Sequence, residues 1–580
     1  MLLFYVIGRP SGPMPSVKIS SVSRPMFVRA YENIFTLVPP MSTTYRTAPI
    51  ETKGIPAGIP YIVGNEAAER FSFYGMKTIL VVFMTQYLLS AQGQPNYMTD
   101  TQAREWMHLF VASAYFFPVI GAIIADAFLG KYVTILALSM VYCAGHLCLA
   151  LIDLPSAALA ATLDPKGWMI AGLVLIAIGS GGIKPCVSAH VGDQFGHANK
   201  HLIEKIFGWF YFAINFGSFF STLLTPWLLK NYGAGWAFGV PGILMALATF
   251  VFWMGRNKFT HIQPRGLRYF GETFGKSGLK SIFKLVPLYL FVAMFWSLYD
   301  QGGSAWVEQA QQMNLHFMGI IWLESQVQAI NPLLILIYIP LFAYVIYPLA
   351  SKVIKLTPLR KILIGFALTV VSFAITAYAQ GLIEKEEAHF DETILPMLLR
   401  GDVDVAATCK VMHAEEQNSC AVQLEAALAL PADKSGENPK YAAMAKPIIK
   451  AGVAVMKDGT SQRANWPTVG WQLLAYVVIT AAEVLVSITC LEFSYTQAPT
   501  QMKSLIMSFY LLSVSLGNLF TAAVNRFTMD ASGNSTLVGA NYYWFFTKMM
   551  IGATVLFIFV VVLYKPREYL QDDPNAAPSH

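Results

Sequence analysis

Long apolar stretches of about 20 residues recur along most of this chain, with polar segments between them. A stretch of that length crosses the hydrocarbon core of a bilayer as one helix. Twelve are predicted, in two sets of six, and their approximate bounds are 60–89, 107–129, 132–153, 168–190, 205–229, 236–254, 283–302, 328–349, 361–382, 468–491, 502–525 and 542–564. The pattern predicts an all-α membrane protein with twelve transmembrane helices in two six-helix bundles. In that architecture, rocking of the bundles exposes a central site to each side of the membrane in turn.

The polar segments predict how the chain is divided. Residues 1–50 are rich in Pro, Ser and Arg and have no hydrophobic period, so we predict disorder there. The predicted divisions are a cytoplasmic N-terminal tail at 1–58, an N-terminal six-helix bundle at 59–255, a basic cytoplasmic linker at 256–282, helices 7–9 of the C-terminal bundle at 283–382, an external polar insert at 383–465, helices 10–12 at 466–566 and a cytoplasmic tail at 567–580.

The composition agrees with a protein surrounded by lipid. Hydrophobic residues make up 55% of the chain and charged residues 13%, whereas a soluble protein has about 25% charged residues. The net charge of +6 does not indicate a nucleic-acid partner, because the basic residues lie in short loops beside the apolar stretches. The lipid bilayer is the expected surrounding partner.

The distribution of Lys and Arg predicts the orientation, because cytoplasmic loops are enriched in both. Six basic residues and one acid, Glu272, lie between 255 and 282, and four more basic residues follow the eighth stretch. These basic residues are Arg256, Lys258, Arg265, Arg268, Lys276 and Lys280, and then Lys352, Lys355, Arg360 and Lys361. We therefore expect a multi-pass protein of the plasma (cell inner) membrane with both termini in the cytoplasm.

The insert at 383–465 is expected on the external side. It carries 13 of the 34 acidic residues of the chain, which favours a solvated cap; a docking site for an external partner remains an alternative. Its alanine-rich runs at 421–430 and 441–456 predict short helices. Cys409 and Cys420 could form a disulfide there, but spacing alone leaves that open.

Four charged residues lie within the first apolar stretch. Glu66, Glu69, Arg70 and Lys77 share one helical face with Tyr74. Each charge at membrane depth costs about 2.5–3.5 kcal/mol. A structural ion pair is the simpler interpretation, but two acids share one arginine here, and a pair serving only stability is readily replaced by apolar residues. The face is therefore predicted to line a polar pathway.

The fourth stretch adds a second intramembrane cation. Its sequence from Gly179 to Cys186 contains three glycines, which permit close helix packing, followed by Lys184. An alternative is that Lys184 extends to the membrane interface.

These motifs resemble a known family. Glu66-x-x-Glu69-Arg70-Phe-x-x-Tyr74-Gly resembles the first-helix signature of the proton-coupled oligopeptide transporters, part of the major facilitator superfamily. Phe212–Ser218 resembles a second signature of that family, and Glu483–Pro499 resembles the animal peptide transporters most. Gly121–Lys131 resembles a superfamily loop motif. Together the matches extend from about residue 60 to 565.

The resemblance implies roles for the matching residues. Proton coupling would involve Glu66, Glu69, Arg70, His108, Lys184 and Glu483. Peptide binding would involve Tyr74, Lys77, Tyr115, Lys184, Asn215, Trp296, Asn331 and Glu483. Gating would involve Lys284 and Asp300, which are about 24 Å apart along one helix and should have separate partners. The chain departs from the family pattern at Lys77, where arginine is common, and at Ala482, where glycine is usual.

The implied function is proton-coupled uptake of di- and tripeptides by alternating access. Lys77 and Lys184 would bind the carboxylate of the peptide, and Glu483 its amino terminus. Protonation of a first-helix glutamate would release Lys184 from a salt bridge. A free histidine titrates near pH 6.5, which suits His108 for proton coupling. No cofactor is implied beyond the proton as coupling ion.

Two alternatives remain open. A related carrier could transport nitrate, amino acids or drugs, and an exporter could exchange protons for drugs. An enzyme is not expected, because the sequence offers no metal-ligand cluster, no phosphate-binding glycine loop and no nucleophile with a base at useful spacing.

Overall fold

A computed structural model describes residues 45–153, 164–266, 268–273, 276–400, 402, 404–410, parts of 420–463, 465–497 and 503–564. The predicted tail at 567–580 lies outside these residues, as do most of the predicted tail at 1–58 and much of the insert at 383–465. The described residues from Thr47 onward belong to one unit.

Twelve long helices follow one another within the described part of the chain. They are α1 Ile59–Val82, α2 Asp100–Ile123, α3 Lys131–Ala150, α4 Pro165–Gly192, α5 Ile203–Tyr232, α6 Ala234–Met254, α7 Lys276–Tyr299, α8 Ile330–Leu341, α9 Pro358–His389, α10 Gly470–Glu483, α11 Lys503–Phe527 and α12 Ala540–Leu563. This sequence of helices agrees with the twelve predicted spans.

Several helices continue beyond these bounds. Single π-helical turns prolong α1 (Phe83–Tyr87), α2 (Ile124–Leu129), α8 (Phe342–Ile346), α9 (Phe390–Ile394) and α10 (Val484–Ile488). Short α-helical segments follow three of these turns, at Tyr347–Ala350, Leu395–Leu399 and Thr489–Thr496. A 3₁₀ turn, Asp300–Gly303, and a helix, Ala305–Gln312, follow α7.

Two of the predicted helix ends are therefore too early. The ninth helix reaches Leu399 rather than 382, so the first part of the predicted insert continues a membrane helix. The seventh span does not end at 302 but continues, after the turn Asp300–Gly303, through the helix Ala305–Gln312. Hydropathy marks where a helix leaves the hydrocarbon, whereas backbone hydrogen bonding continues into the polar region beyond it.

Two hydrophobic cores divide the helices into bundles. One is formed by buried residues of α1–α6, including Phe73, Tyr142 and Phe238, and the other by residues of α7–α12, including Phe295 and Phe366. The two bundles meet most extensively where α2 packs against α11. Paired six-helix bundles agree with the fold class predicted from the sequence.

Among the described helices, eleven have the length and apolarity of a membrane span, and α1 is not one of them. This helix carries Glu66, Glu69, Arg70 and Lys77. It packs against α5 and α6, and both of its glutamates are at most 1% exposed. Its charges are therefore kept away from lipid.

The alternation of helices defines two ends of the molecule. We call the end with the segment 255–275, between α6 and α7, the linker side. The opposite end, with the loops 88–99, 313–325 and 528–539 and the insert, is the insert side. Odd-numbered helices run from the linker side to the insert side.

The insert side carries two small hairpins. His316–Phe317 (β1) pairs with Ile320–Ile321 (β2), and Val453–Val455 (β3) pairs antiparallel with Ser461–Arg463 (β4). The helix predicted over 441–456 is therefore wrong at β3. The β-branched valines favour a strand, and Gly459, with φ of 84°, permits the turn that follows. Cys409 and Cys420 form a disulfide, with 5.7 Å between their Cα atoms.

Close packing of α2 on α4 gives a stability prediction. A Cβ atom at Gly121 would collide with the backbone of Gly182, whereas a Cβ at Gly64 would meet nothing within 4 Å. Gly121→Leu should therefore lower the free energy of unfolding by at least about 2 kcal/mol because the helices are forced apart. Gly64→Leu is the matched control and should be close to neutral in thermal unfolding of the purified protein. Equal melting temperatures for the two variants would contradict this packing.

Candidate functional site

A buried ionic cluster lies on α1. Arg70 Nε is 2.6 Å from Glu66 Oε1, as the spacing of four residues predicts, and 3.2 Å from Glu69 Oε2. Both carboxylates are almost fully buried. One guanidinium thus compensates two acids, which leaves this part of the cluster with one net negative charge if both are ionised.

Helix α4 supplies a further contact to this cluster. Ser180 Oγ donates a hydrogen bond of 2.7 Å to Glu69 Oε1. Sequence reasoning missed Ser180, although it lies one helical turn before Lys184 in the glycine-rich motif. The available signal was a hydroxyl between two glycines, because such small residues allow α1 to come close enough for a hydrogen bond.

Lys184 does not form the expected salt bridge. Its Nζ lies 4.1 Å from the ring centre of Phe73 and 3.9 Å from that of Tyr115, and among the described residues it has no hydrogen-bond partner. Arg70 already contacts both glutamates, so aromatic faces stabilise Lys184 instead. The side chain is also not extended to the interface, because Lys184 is only 9% exposed.

A second polar network crosses from one bundle to the other. Lys77 Nζ on α1 is 2.7 Å from Asp300 Oδ1, which directly follows α7. Asn518 Nδ2 on α11 donates to Asp300 Oδ2 at 2.7 Å. His108 on α2 contacts Asn518 Oδ1 through Nδ1 at 2.7 Å and Ser304 Oγ through Nε2 at 2.9 Å. Sequence reasoning missed Asn518 and Ser304, because only the folded chain brings them beside His108.

The hydrogen bonds around Asn518 fix the tautomer of His108. The amide nitrogen of Asn518 donates to Asp300, so its oxygen must accept the proton on His108 Nδ1. A neutral His108 then accepts a hydrogen bond from Ser304 at Nε2, and a protonated His108 donates one there. Protonation would therefore reverse a single hydrogen bond between the bundles.

The predicted gating residues do not meet. Asp300 pairs with Lys77, while Lys284 is exposed near the linker-side end of α7. This agrees with their separation of more than four helical turns, from which the sequence predicted separate partners.

Glu483 lies on α10, in the other bundle from Lys77 and Lys184. Asn331 Nδ2 donates to Glu483 Oε2 at 2.8 Å and to Thr480 Oγ1 at 3.0 Å. Tyr299 donates to Asn331 Oδ1 at 3.2 Å. Two of the eight residues predicted to bind a peptide, Asn331 and Glu483, therefore bind each other in this structure.

A cavity of about 130 Å³ lies between the two bundles. It has room for about four water molecules, at about 30 Å³ each. Residues from both bundles line it, including seven of the eight predicted peptide-binding residues: Tyr74, Lys77, Tyr115, Asn215, Trp296, Asn331 and Glu483. Lys184, the eighth, does not line the cavity but contacts Tyr115 at its wall. We call this space the central chamber.

Comparisons with known proteins identify the family. The family model PTR2, described as the POT family, matches residues 132–277, 269–406 and 442–545. The chain belongs to the POT family. This confirms the resemblance that the sequence motifs indicated.

Named relatives of this POT family member cover most of its length. Solute carrier family 15 member 2 of Rattus norvegicus is 30% identical, over 82% of this chain and 86% of the relative. Peptide transporter family 1 of Drosophila melanogaster is 29% identical, over 90% of each chain.

Solved structures confirm the fold class. The crystal structure of the POT family transporter PepTSo has a TM-score of 0.64 at 32% identity and covers 87% of this chain and 98% of its own. An auto-inhibited POT family peptide transporter also has a TM-score of 0.64, at 29% identity, and covers 89% of this chain and 99% of its own.

In this POT family member the bundles are joined on the insert side. Between described residues, the hydrogen bonds and ion pairs that link the bundles lie from the middle of the membrane to that side. Besides the Lys77 network they include Arg104 Nε to Glu308 Oε2 at 3.2 Å and Ser515 Oγ to Ala112 O at 2.7 Å. The structure is therefore closed on the insert side.

In the described part of the chain, no group of three or more His, Cys, Asp or Glu side chains is placed to hold a metal ion.

The Lys77–Asp300 pair gives a second stability prediction. Lys77→Met should lower the free energy of unfolding by about 3 kcal/mol, because a buried carboxylate loses its counter-ion. Adding Asp300→Asn should restore most of that loss, since the amide oxygen can still accept the hydrogen bond from Asn518. Thermal unfolding of the purified variants measures both effects. A double variant no more stable than Lys77→Met would contradict the pairing.

Proposed function

We propose that this chain is a proton-coupled symporter that takes up di- and tripeptides by alternating access. The central chamber carries the proposal, because Lys77 of the first bundle and Glu483 of the second bundle both line it. Lys184 lies against Tyr115 at its wall. A zwitterionic peptide has the complementary charges at its two ends. The proposed action is transport, with no chemical change to the peptide.

Peptide recognition follows from the chemistry of the chamber. Lys184 and Lys77 would bind the carboxylate, and Glu483 would share its charge between the ammonium group and Asn331. Asn215 and Asn331 would bond the peptide backbone, while Tyr74, Tyr115 and Trp296 would form the walls. Lysine acts as a point charge and not as a bidentate partner, so Lys77 favours loose carboxylate binding. Nitrate would leave Glu483 without a counter-ion, which disfavours it as the substrate.

Proton coupling follows from charge balance in the α1 cluster. Glu66, Glu69, Arg70 and Lys184 together carry no net charge when all four are ionised. A proton on one glutamate adds a positive charge, and a peptide carboxylate beside Lys184 removes it. Because unbalanced charge is costly in a buried site, each ligand should strengthen the binding of the other. This coupling needs no direct salt bridge from Lys184 to a glutamate.

His108 would couple protonation to opening of the insert side. A charged His108 next to Asn518 adds a cation beside the Lys77–Asp300 pair. Asp300 could then exchange Lys77 for a new partner, which would loosen the contact between the bundles. Lys284 would act on the linker side, where the gate must close when the insert side opens. No cofactor other than the coupling proton is proposed.

The proposed orientation places the linker side in the cytoplasm. Arg256, Lys258 and Arg265 lie in the linker segment, and cytoplasmic loops are enriched in such residues. Both termini would then be cytoplasmic and the insert would be external, in a multi-pass protein of the plasma (cell inner) membrane. Inward movement of a proton through 100 mV yields about 2.3 kcal/mol, and one pH unit adds about 1.36 kcal/mol. Together they support roughly 500-fold accumulation.

Removal of the α1 carboxylates tests the coupling. In proteoliposomes with an imposed proton gradient, Glu66→Gln combined with Glu69→Gln should abolish accumulation of labelled dialanine. Exchange of labelled for unlabelled dialanine across the membrane should persist in part, because the central chamber remains. Glu425→Gln, on an exposed residue of the insert, is the control and should accumulate normally. Accumulation of dialanine by the double glutamine variant would show that Glu66 and Glu69 are not required for coupling.

Recognition of the amino terminus tests Glu483. Glu483→Gln should raise the KM for dialanine about ten- to hundredfold, because a charge-assisted hydrogen bond is lost. The KM for N-acetyl-dialanine should change little. Competition uptake assays with the two compounds measure the difference. If the variant still prefers the free amine as strongly as the parent does, Glu483 does not bind it.

A further inference from the structure

The outer part of the seventh helix is a separate element. After α7 the chain passes through the 3₁₀ turn Asp300–Gly303 and through Ser304, at φ −134° and ψ −92°, before the helix Ala305–Gln312 begins. We call Ser304 to Gln312 the outer segment. It carries Ser304 and Glu308, the partners of His108 and Arg104 on the other bundle. The position of this segment therefore decides whether those contacts form.

Four glutamines connect the outer segment to α9 and α10. Gln472 Nε2 donates to Gln309 Oε1 at 3.1 Å, Gln309 Nε2 donates to Gln380 Oε1 at 2.9 Å, and Gln380 Nε2 donates to Gln312 Oε1 at 2.9 Å. The chain of amides starts on α10, enters the outer segment, crosses to α9 and returns. We call these four residues the glutamine chain.

Three members of the glutamine chain are buried, and two of these have further anchors to the backbone. Gln309 and Gln472 are 1% exposed and Gln380 is 4% exposed. Gln472 also donates to Trp306 O at 2.6 Å, and Gln309 to Thr376 O at 3.0 Å. The outer segment is thus tied to two helices of its own bundle by side-chain bonds to both amides and backbone.

Two tyrosines complete the attachment around the break. Tyr476 donates to Gly302 O at 3.0 Å, and Tyr543 on α12 donates to Ala305 O at 2.7 Å. Three helices of the second bundle, α9, α10 and α12, therefore hold the segment. These bonds bypass the break that separates it from α7.

Glutamine amides are suited to attaching the outer segment to its bundle, because each amide can both donate and accept a hydrogen bond. All three amide–amide bonds run in one direction, so each bond polarises the next. A leucine at position 309 would leave Gln472 without an amide acceptor and Gln380 without a donor, both inside the bundle. Buried groups left unpaired in this way cost more than the bond itself was worth.

We propose that Gln309, with Gln380 and Gln472, is a positioning residue for closure of the insert side. The glutamine chain makes the outer segment move with the second bundle, so that Ser304 and Glu308 reach His108 and Arg104 when the bundles approach. Gln309 is not among the residues that line the central chamber. The inference rests on the proposed alternating access, and its test reads conformation and not transport.

The test measures the separation of the bundles on the insert side. Spin labels are attached at Tyr97→Cys and Val538→Cys, both exposed in insert-side loops of different bundles, in a protein whose four free cysteines are replaced by alanine. Without peptide, the parent in nanodiscs should show mostly the short distance of the closed state. Gln309→Leu should raise the ratio of long to short distances at least roughly tenfold, since three buried hydrogen bonds that favour closure are lost.

The matched control is Gln194→Leu. Gln194 is also buried, donates to His190 O at 3.0 Å and accepts from Thr260 N at 2.9 Å, but lies near the linker side within the first bundle. Its replacement removes similar bonds and should leave the distance ratio unchanged. A shift of the same size in both variants would mean general loosening and would overturn the positioning role.

Two further variants keep the test decisive. Gln380→Leu, at the outer part of the glutamine chain, should shift the ratio in the same direction by a smaller factor and serves if Gln309→Leu does not fold. The double variant should shift it no further than Gln309→Leu alone, because the bonds act in series. Unchanged distances in Gln309→Leu would overturn the proposal. If Gln309→Leu does not fold, unchanged distances in Gln380→Leu would overturn it. If the distances change as predicted in a protein that fails to carry dialanine, the positioning role of Gln309 stands and the proposed function is rejected.

Discussion

The balance of buried charge is the constraint on which the rest of this structure depends. Most of the surface faces lipid, so ionised side chains must lie inside the bundles and must be neutralised there. The protein meets this requirement in two clusters. Glu66, Glu69, Arg70 and Lys184 lie within the first bundle, whereas Lys77 and Asp300 meet between the bundles. The first cluster is closed within one bundle, and the second breaks when the bundles separate.

Aromatic rings connect the two clusters. Lys184 lies against Phe73 and Tyr115, and Tyr115 also lines the central chamber with Lys77. Moving a cation away from aromatic ring faces costs less free energy than moving it away from a buried carboxylate. Lys184 is therefore available to an incoming carboxylate without first losing an ionic bond. In the proposed mechanism, this arrangement would couple substrate and proton through the total charge of the site.

Much of the architecture could be predicted from the sequence. Twelve apolar stretches give twelve helices because helix formation is the way a chain satisfies its backbone in lipid. The charged face of α1 was recognisable for the same reason, since four charges in one span need polar surroundings. Pairing of Arg70 with Glu66 followed from spacing along a single helix.

Contacts between helices were the part that could not be predicted. The pairing of Lys77 with Asp300, and the positions of Asn518 and Ser304 around His108, depend on how two bundles meet. The salt bridge expected for Lys184 was wrong because Arg70 reaches both glutamates. Helix ends were misplaced at 382 and 302, where polar residues continue a helix beyond the hydrocarbon. The disulfide between Cys409 and Cys420 needed coordinates, because spacing alone does not show that two sulfurs meet.

The most direct test of charge balance is the number of protons taken up when a peptide binds. Calorimetric titration of the purified protein with dialanine, in several buffers of different ionisation enthalpy at one pH, gives this number. The account predicts an uptake that approaches one proton per peptide at a pH where the site is unprotonated, since the carboxylate and the proton neutralise each other in the buried site. A binding heat that is the same in every buffer across the titration range would contradict it.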